Sequence, residues 1–413
     1  MAVRLALEFS AVSTASRNRE LEQVEKYMRV CMRIDKDFEK VVTTSPSEPI
    51  LAEASRLVML DNPAFNVPRA LLKQLEKPGL DKGDRGELVA ELLLILASDA
   101  AYDSKKNSWT SDASSKTSSK LKLEKEPTVP RAVTLESFLK NLLKEEWQKS
   151  VFASKPTHWR TKVDQQRTFK TTFRDSKVYF NHFVKIDDAR VINREFLWRL
   201  VARGAAVLCA NGQGGVDIVI PFVYRGGMLS RQNISAIFIQ VKNNANFGPK
   251  PNVLLFDLMN PFLLRFYDVD EKDQLPVIRM VFALASRKAS LTVMAPMPER
   301  PMRQAKTKDR KSPRYTAYDI WCARASSDTF GVISTGDDNT FESLLKLCKV
   351  FPDAYTSDID LCVVEEVRRS MNPGTAVDPK HWGFCSDVTK FEEIREDPAD
   401  DVDFNYGEES DGE

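Results

Sequence analysis

The strongest constraint on the fold is a change of hydrophobic period at Gly204. Before this glycine, the apolar residues of 192–203 recur at helical spacing, and glycine is a common residue immediately after a helix. After it come three short apolar runs, 205–210, 216–224 and 235–242, which glycine-containing turns separate. Short runs with this spacing are typical of strands joined by turns. The segment therefore predicts a three-stranded antiparallel meander.

The segments after the meander predict an α/β layer architecture. A helix is expected at 253–266, and an apolar run at 277–284 has the character of a buried strand. With the helix at 192–203, the order becomes helix, three strands, helix, strand, which is an arrangement of helices layered on a sheet. Further elements are expected as extensions of this core: strands at 318–322 and 330–334 and a helix at 341–350.

The N-terminal region predicts helices. Residues 16–42 keep an approximate 3–4 spacing of apolar residues, and shorter helices are expected at 49–60 and 68–76. A further helix follows Gly83 and is apolar on nearly every side, so we expect it to be buried. Thr134 is a predicted N-cap for another helix.

Composition indicates how the chain divides into parts. The segment at 103–131 is rich in serine, lysine and threonine and cannot bury enough apolar area to order itself. The net charge of +1 conceals a split, because the last part of the chain carries eleven acids and one arginine. The predicted parts are a helical region at 1–80, an α/β core at 81–350 with a flexible insert at 103–131 and a basic loop at 300–314, an extension at 351–390, and a disordered acidic tail at 391–413.

Several protein classes are excluded at this level. No apolar run approaches the ~18 residues of a membrane-spanning helix, and Glu8 interrupts the N-terminus too early for a secretory signal. Six cysteines without a CxxC pair argue against a disulfide scaffold or a structural zinc site. The three histidines form no cluster and have no predicted catalytic role, so a metal site would use oxygen ligands. We expect an intracellular protein, nuclear or cytoplasmic, without a membrane.

Polar residues interrupt two of the predicted strands. Asp217 is the second residue of an otherwise apolar run, and Gln240 and Lys242 interrupt the next one. Gln240 and Lys242 are two residues apart and share one face of their strand. The buried helix upstream adds Glu87 and Glu91, which are four residues apart and share a helical face. Buried charges are costly unless they are paired or used, so this group indicates a site.

These side chains suit the hydrolysis of a phosphodiester. Mg²⁺ takes oxygen ligands, usually one or two carboxylates with waters and phosphate oxygens. Mg²⁺ or Mn²⁺ would stabilise charge on the phosphate and lower the pKa of a bound water, which a lysine can orient or deprotonate. The residues also have ordinary structural interpretations: Asp217 as a satisfied acid beside a turn, and Lys242 as a lysine that extends from a strand end.

The spacing of these residues resembles a known nuclease signature. Gly-Val-Asp217-Ile-Val-Ile-Pro, followed by Ile-Phe-Ile-Gln240-Val-Lys242-Asn, is similar to the D…(D/E)-x-K pattern of the PD-(D/E)XK nuclease superfamily. Gln240 stands where most members have an acid, and the Mrr-like branch of that superfamily also carries glutamine there. The sequence Gly83-Asp-Arg-Gly-Glu87 resembles the acid-bearing helix of the Holliday-junction-resolvase and Mrr-like branches.

A wider similarity extends over much of residues 45–335, to a large group of uncharacterised fungal proteins. Besides the nuclease-like segments, it includes Ser47-Glu-Pro-Ile-Leu-Ala-Glu-Ala. This similarity implies no activity.

The nuclease resemblance implies a restriction-endonuclease-like core and a Mg²⁺- or Mn²⁺-dependent DNA endonuclease. Asp217 would be the central metal ligand, Glu87 a second carboxylate ligand with Glu91 as the alternative, and Gln240 a neutral carbonyl ligand. Lys242 would orient the metal-activated water or balance charge. Because glutamine replaces an acid, a catalytically inactive nuclease-fold module that binds nucleic acid or acts as an effector is the alternative. The sequence does not decide whether the protein forms a homodimer.

Two segments have the composition of a nucleic-acid contact. The loop at 300–314 could contact phosphates, act as a nuclear-import signal, or simply be a solvated surface. Its bases are Arg300, Arg303, Lys306, Lys308, Arg310, Lys311 and Arg314. The aromatic and basic stretch at 158–174 either stacks on a single strand or supplies aromatic rings to the core.

Overall fold

A mixed sheet of nine strands forms around the predicted meander. The computed structural model describes residues 3–5, 18, 21–22, 24–26, 28–34, 41–44, 47–60, 62, 65–75, 85–111, 132–186, 188–210, 213–268, 271, 273–296 and 314–346. All of them lie within one unit, Met1–Cys348.

Groups of strands and groups of helices follow one another along the chain. The strands are β1 Val30–Ile34, β2 Val41–Thr44, β3 Val133–Thr134, β4 Lys177–Val178, β5 His182–Lys185, β6 Ala205–Leu208, β7 Ile218–Val223, β8 Ile234–Lys242, β9 Val277–Ala283, β10 Ser290–Val293 and β11 Ala317–Ala323. The helices are α1 Pro49–Leu60, α2 Val67–Leu75, α3 Arg85–Ser111, α4 Leu135–Leu142, α5 Glu145–Ala153, α6 Lys162–Gln166, α7 Phe169–Thr172, α8 Arg194–Arg203, α9 Val253–Leu258 and α10 Asp338–Lys346.

The predicted meander is confirmed. Strand β7 pairs in antiparallel fashion with both β6 and β8, and β9 then lies parallel to β8. Beyond β9, β11 is parallel and β10 closes the edge in antiparallel fashion. Strand β6 pairs with the first half of β7, and β4 pairs with its second half. The sheet therefore branches at β7 into one arm that begins with β6 and another that begins with β4. The structure is the mixed α/β arrangement that the sequence predicts.

Strand alternation produces a core on each face of the sheet. One face carries Ile218 and Ile239, which belong to a buried cluster that includes residues of α3 and α4. The other carries Val219 and Phe238, which belong to a second cluster with residues of α8 and α9. Because both faces are covered, the central strands are buried throughout, and a polar residue within them is buried as well.

Two predicted caps are confirmed. The Ser137 N–H donates to the Thr134 hydroxyl at the start of α4, at 3.1 Å. Gly204 follows α8 with a φ of 64°, and its N–H donates to carbonyls of the last helical turn. A side chain at Gly204 would contact the Tyr179 ring, so both the backbone conformation and the packing require glycine.

The prediction of one long helix over 16–42 is wrong for the part that the structure describes. Residues 18, 21–22 and 24–26 are helical, but Met28 has a φ of 57°, a conformation that ends a right-handed helix. The chain then forms β1 and β2, which pair with each other in antiparallel fashion. Both strands are rich in β-branched residues, and this preference overrides an imperfect helical spacing.

Three other element boundaries differ from the predictions. Helix α9 ends at Leu258, well before 266, because Asn260 precedes Pro261 and the residue before a proline disfavours the helical conformation. The expected strand at 330–334 reduces to one bridge between Phe330 and Leu143. At the end of the core, α10 stops at Lys346, and residues 347–350 lie outside the described part.

The first part of the predicted flexible insert, 103–111, is helical. Helix α3 continues to Ser111, and residues 112–131 lie outside the described part of the chain. Arg56 of α1 anchors this extension, since its guanidinium is 3.1 Å from the Asp103 carboxylate and lies over the Tyr102 ring. The extension at 351–390 and the acidic tail at 391–413 are likewise outside the described residues.

Candidate active site at the end of the sheet

Four strands bring their polar ends to one end of the sheet. The carboxyl ends of β5, β6 and β8 meet the amino end of β7 there, because β5 is parallel to β6 while β6 and β8 are antiparallel to β7. Lys185 pairs with Leu208, Leu208 with Ile218, and Ile218 with Ile239. The residues just beyond these pairs therefore lie side by side.

Gly215 sets the position at which β7 begins. It has a φ of 89°, and a Cβ atom at this position would be 2.5 Å from the Leu258 carbonyl oxygen. Only glycine has both the conformational freedom and the space for this close approach. Two residues later, the Asp217 N–H donates to the Ile239 carbonyl at 2.9 Å, and the Cys209 N–H donates to the Asp217 carbonyl at 2.8 Å. Asp217 is thereby held between the two neighbouring strands.

The Asp217 carboxylate lies against the end of β8. Its Oδ2 atom accepts the backbone N–H of Val241 at 2.5 Å. Val241 lies between Gln240 and Lys242, so the register brings together the three strand residues that the sequence singled out. Asp217 is half-buried, which leaves part of the side chain accessible.

Gln240 contributes a buried amide oxygen. The residue is 5% exposed, and its Oε1 atom has no hydrogen-bond partner among the described residues. An unsatisfied buried acceptor costs about 1–3 kcal/mol, so a partner at this position would stabilise the structure. Lys242 is half-buried on the same strand face, and its Nζ atom is 5.8 Å from the centre of the Phe247 ring.

Glu87 approaches the same end of the sheet from α3. It lies in the first turn of the helix and is half-buried. Burial raises the pKa of the Cys209 thiol well above its usual value, and the negative charges of Asp217 and Glu87 raise it further, against an opposing effect of Lys185. The charges of Asp217, at the start of β7, and of Glu87, in the first turn of α3, therefore both act on one thiol just after β6.

Glu91 lies one turn further along α3. Its side chain is 2% exposed, and the residues on either side of it belong to the buried cluster on the α3 face of the sheet. Gln240 and Lys242, by strand alternation, point to the opposite face. Glu87 is half-buried near the helix N-terminus and its charge acts on Cys209, whereas Glu91 is buried one turn deeper in the layer.

The donor set fits a hard divalent cation. Asp217 and Glu87 offer carboxylate oxygens, and the Gln240 Oε1 atom is a buried acceptor without a partner in the described part of the chain. Mg²⁺ and Mn²⁺ prefer oxygen ligands of this kind. Among the described residues, no group of three or more His, Cys, Asp or Glu side chains is arranged to hold a metal. The set described here has fewer than three such residues and depends on an amide oxygen.

The sequence did not single out Lys185 and Cys209 at this end. Lys185 ends β5 and Cys209 immediately follows β6. Neither belongs to a motif. The parallel pairing of β5 with β6 brings Lys185 to this end, and the antiparallel pairing of β6 with β7 brings Cys209 there. The available signal was their position at the ends of apolar runs, which gains meaning only after the strand order is known.

The structure describes the two segments with the composition of a nucleic-acid contact to different extents. Of the basic loop at 300–314, only Arg314 lies within the described residues. In the stretch at 158–174, Phe169 and Phe173 are buried core residues whose rings pack against Tyr318, which supports the core interpretation for these aromatics. In the described part of the chain, no helix is long and apolar enough to cross a membrane.

Comparison with known proteins adds a partial family match. A family described as a domain of unknown function, DUF8736, matches residues 5–132. The matched segment includes α3 with Glu87 and Glu91, but it ends before the strands that carry Asp217 and Gln240. No curated protein and no solved structure matches the chain.

Proposed function

We propose that this protein is a metal-dependent phosphodiester hydrolase that acts on DNA. The observation that carries the proposal is the register of β7 against β8. This register joins the Asp217 carboxylate to the strand segment of Gln240 and Lys242. The buried Gln240 amide oxygen has no partner among the residues that the structure describes. The element order adds support, since a helix, a three-stranded meander, a helix and a further strand are the core that the nuclease resemblance implies.

Each residue has a distinct role in this proposal. Asp217 and Glu87 would bind the metal through carboxylate oxygens and Gln240 through Oε1, with Glu91 as the alternative to Glu87. A bound Mg²⁺ or Mn²⁺ would supply charge stabilisation at the phosphate and a more acidic water. Lys242 would orient that water for in-line attack or balance the negative charge of the transition state.

The test is cleavage of supercoiled plasmid, branched DNA and single-stranded DNA in Mg²⁺, Mn²⁺ or EDTA. Wild-type protein is compared with Asp217→Asn and with Lys242→Met, which keeps an unbranched side chain one atom shorter than lysine and removes its charge. We expect metal-dependent cutting that both variants lose by about 10²-fold or more. Full cleavage by Lys242→Met would overturn the role of the lysine, and full cleavage by both variants would overturn the site.

The neutral Gln240 favours one alternative function. An amide oxygen holds a cation more weakly than a carboxylate, so the same fold could bind nucleic acid without turning it over. In that case, wild-type protein would bind DNA in a salt-dependent manner, show no cleavage in either metal, and bind equally well in EDTA. Binding and cleavage assays on the same set of DNA substrates distinguish the two functions.

A further inference from the structure

A serine, a histidine and an asparagine form a continuous hydrogen-bonded chain at the other end of β5. The Ser47 hydroxyl is 2.9 Å from the His182 Nε2 atom, and the His182 Nδ1 atom is 2.7 Å from the Asn181 Oδ1 atom. His182 begins β5, whereas Lys185, at the site described above, ends it. The two groups are therefore distinct places in the fold.

The surrounding hydrogen bonds determine the protonation of the histidine. The Asn181 amide nitrogen donates to the Pro49 carbonyl at 3.1 Å, so the amide oxygen must be the atom that faces His182. A carbonyl oxygen can only accept, and Nδ1 therefore carries the proton. The Nε2 atom is left with a free lone pair directed at the Ser47 hydroxyl, which is the tautomer that a general base needs.

A cation adjoins the serine oxygen. The Arg203 Nε atom donates to the Ser47 hydroxyl oxygen at 3.0 Å, and its Nη2 atom donates to the Ser47 carbonyl. A charged donor at this distance would stabilise negative charge that develops on the hydroxyl oxygen. Helix α1 also begins two residues after Ser47 and adds its positive N-terminal dipole.

Solvent exposure increases within the group from the histidine to the serine to the arginine. His182 is completely buried, Ser47 is half-buried, and Arg203 is exposed. A molecule can thus reach the serine from the side of Arg203, while the histidine is shielded from water. Burial lowers the pKa of His182 to about 4, with further lowering by Arg203 and Arg4, so the imidazole is a neutral base at pH 7.

We propose that Ser47 is a nucleophile, with His182 as its general base and Asn181 as the positioning residue, and that the group hydrolyses carboxylic esters. The Ser47 oxygen forms a bond to the ester carbonyl carbon while its proton passes to His182 Nε2. The bond from carbon to the leaving oxygen then breaks, and the leaving group takes that proton and departs as an alcohol. Water repeats the sequence on the acyl-serine, releases a carboxylic acid and restores the hydroxyl.

The experiment is covalent labelling of the full-length protein with an alkyl fluorophosphonate, which displaces fluoride and phosphonylates an activated serine. Mass spectrometry should locate a single adduct on Ser47. Ser47→Ala should abolish it, while Ser98→Ala should keep it, because the Ser98 hydroxyl donates to the Phe180 backbone carbonyl rather than to a histidine. Asp217→Asn, which is altered at the other proposed site, should also be labelled fully at Ser47. Full labelling of this variant would show that the serine reacts independently of the site proposed to hydrolyse DNA.

The pH profile and a folded His182 variant together test whether His182 acts as the base. The labelling rate should stay level from pH 8 to pH 5 and fall only near pH 4, the value at which His182 becomes protonated in the folded protein. His182→Gln, with its fold checked by circular dichroism, should label about 10²-fold more slowly. Folded wild-type protein without an adduct on Ser47 would overturn the proposal, as would an adduct that forms equally fast in His182→Gln.

Discussion

The carboxylate of Asp217 accepts the backbone N–H of Val241, the residue between the proposed ligand Gln240 and the proposed catalytic Lys242. This hydrogen bond gives Asp217 a structural task at the start of β7 in addition to its proposed chemical one. Loss of activity in a simple alanine variant would therefore be ambiguous. Paired substitutions that change one property at a time separate the two tasks.

Asp217→Asn should lose metal-dependent cleavage while the fold keeps its stability. The asparagine amide oxygen can still accept the Val241 N–H, so we expect the free energy of unfolding to change by less than about 1 kcal/mol. Asp217→Ala leaves a buried N–H without its acceptor and should cost about 1–3 kcal/mol. Urea unfolding measures both values, and equal destabilisation by the two variants would show that the carboxylate charge, not the hydrogen bond, supports the strand.

Gln240→Glu should strengthen metal binding. A carboxylate is a better ligand than an amide, and the Gln240 Oε1 atom already lies buried without a partner among the described residues. Gln240→Leu removes the polar atoms, so its stability without metal should stay within about 1 kcal/mol of the wild type, and it should bind Mn²⁺ more weakly. Isothermal titration with Mn²⁺ compares the three proteins. If all three bind with the same affinity, Gln240 is not a ligand.

Gly215→Ala should destabilise the protein by about 2 kcal/mol or more. The added Cβ atom would collide with the Leu258 carbonyl, and the φ of 89° is unfavourable for alanine. The neighbouring Gly214 is the matched control, because a Cβ atom there meets nothing within 4 Å. Thermal unfolding should show a large decrease in the free energy of unfolding for Gly215→Ala. For Gly214→Ala, that free energy should change by less than about 1 kcal/mol. Equal effects would mean that the turn adjusts freely.

The stability of the fold should fall as the pH decreases from 6.5 toward 4. Burial lowers the pKa of both His158 and His182 to about 4, whereas the unfolded chain titrates near 6.5. In this range the unfolded state binds more protons, so each histidine lowers the free energy of unfolding by about 2 kcal/mol between pH 6.5 and pH 5. Urea midpoints at several pH values measure this dependence.

His158→Asn is the control for that pH dependence. The His158 Nδ1 atom accepts a hydrogen bond from Arg279 at 3.0 Å, and an asparagine oxygen can take the same place without titrating. The variant should show about half of the pH dependence that the two histidines produce in the wild type, whatever its stability at pH 7. An unchanged slope would show that other groups cause the acid sensitivity.

Local sequence signals predicted most of the central elements. The boundaries of β6, β7, β8 and β9 follow from apolar runs and glycine turns, and Thr134 and Gly204 act as the caps that they resemble. These features depend on neighbours within a few residues, which is why the sequence shows them directly. The wrong prediction of a helix over 16–42 has the same origin, because a weak 3–4 spacing competes there with β-branched residues and only pairing between β1 and β2 decides the outcome.

The sequence by itself determined which residue types were available: Asp217 at a strand start, Gln240 and Lys242 on one strand face, and two glutamates on one helix. The tertiary structure alone decided that the charges of Glu87 and Asp217 both act on Cys209, that Gln240 Oε1 is buried without a partner among the described residues, and that Ser47 meets His182 across 135 positions of chain. Contacts of this kind depend on strand order and helix packing. These arise from burial of apolar area over the whole unit, and no short motif encodes them.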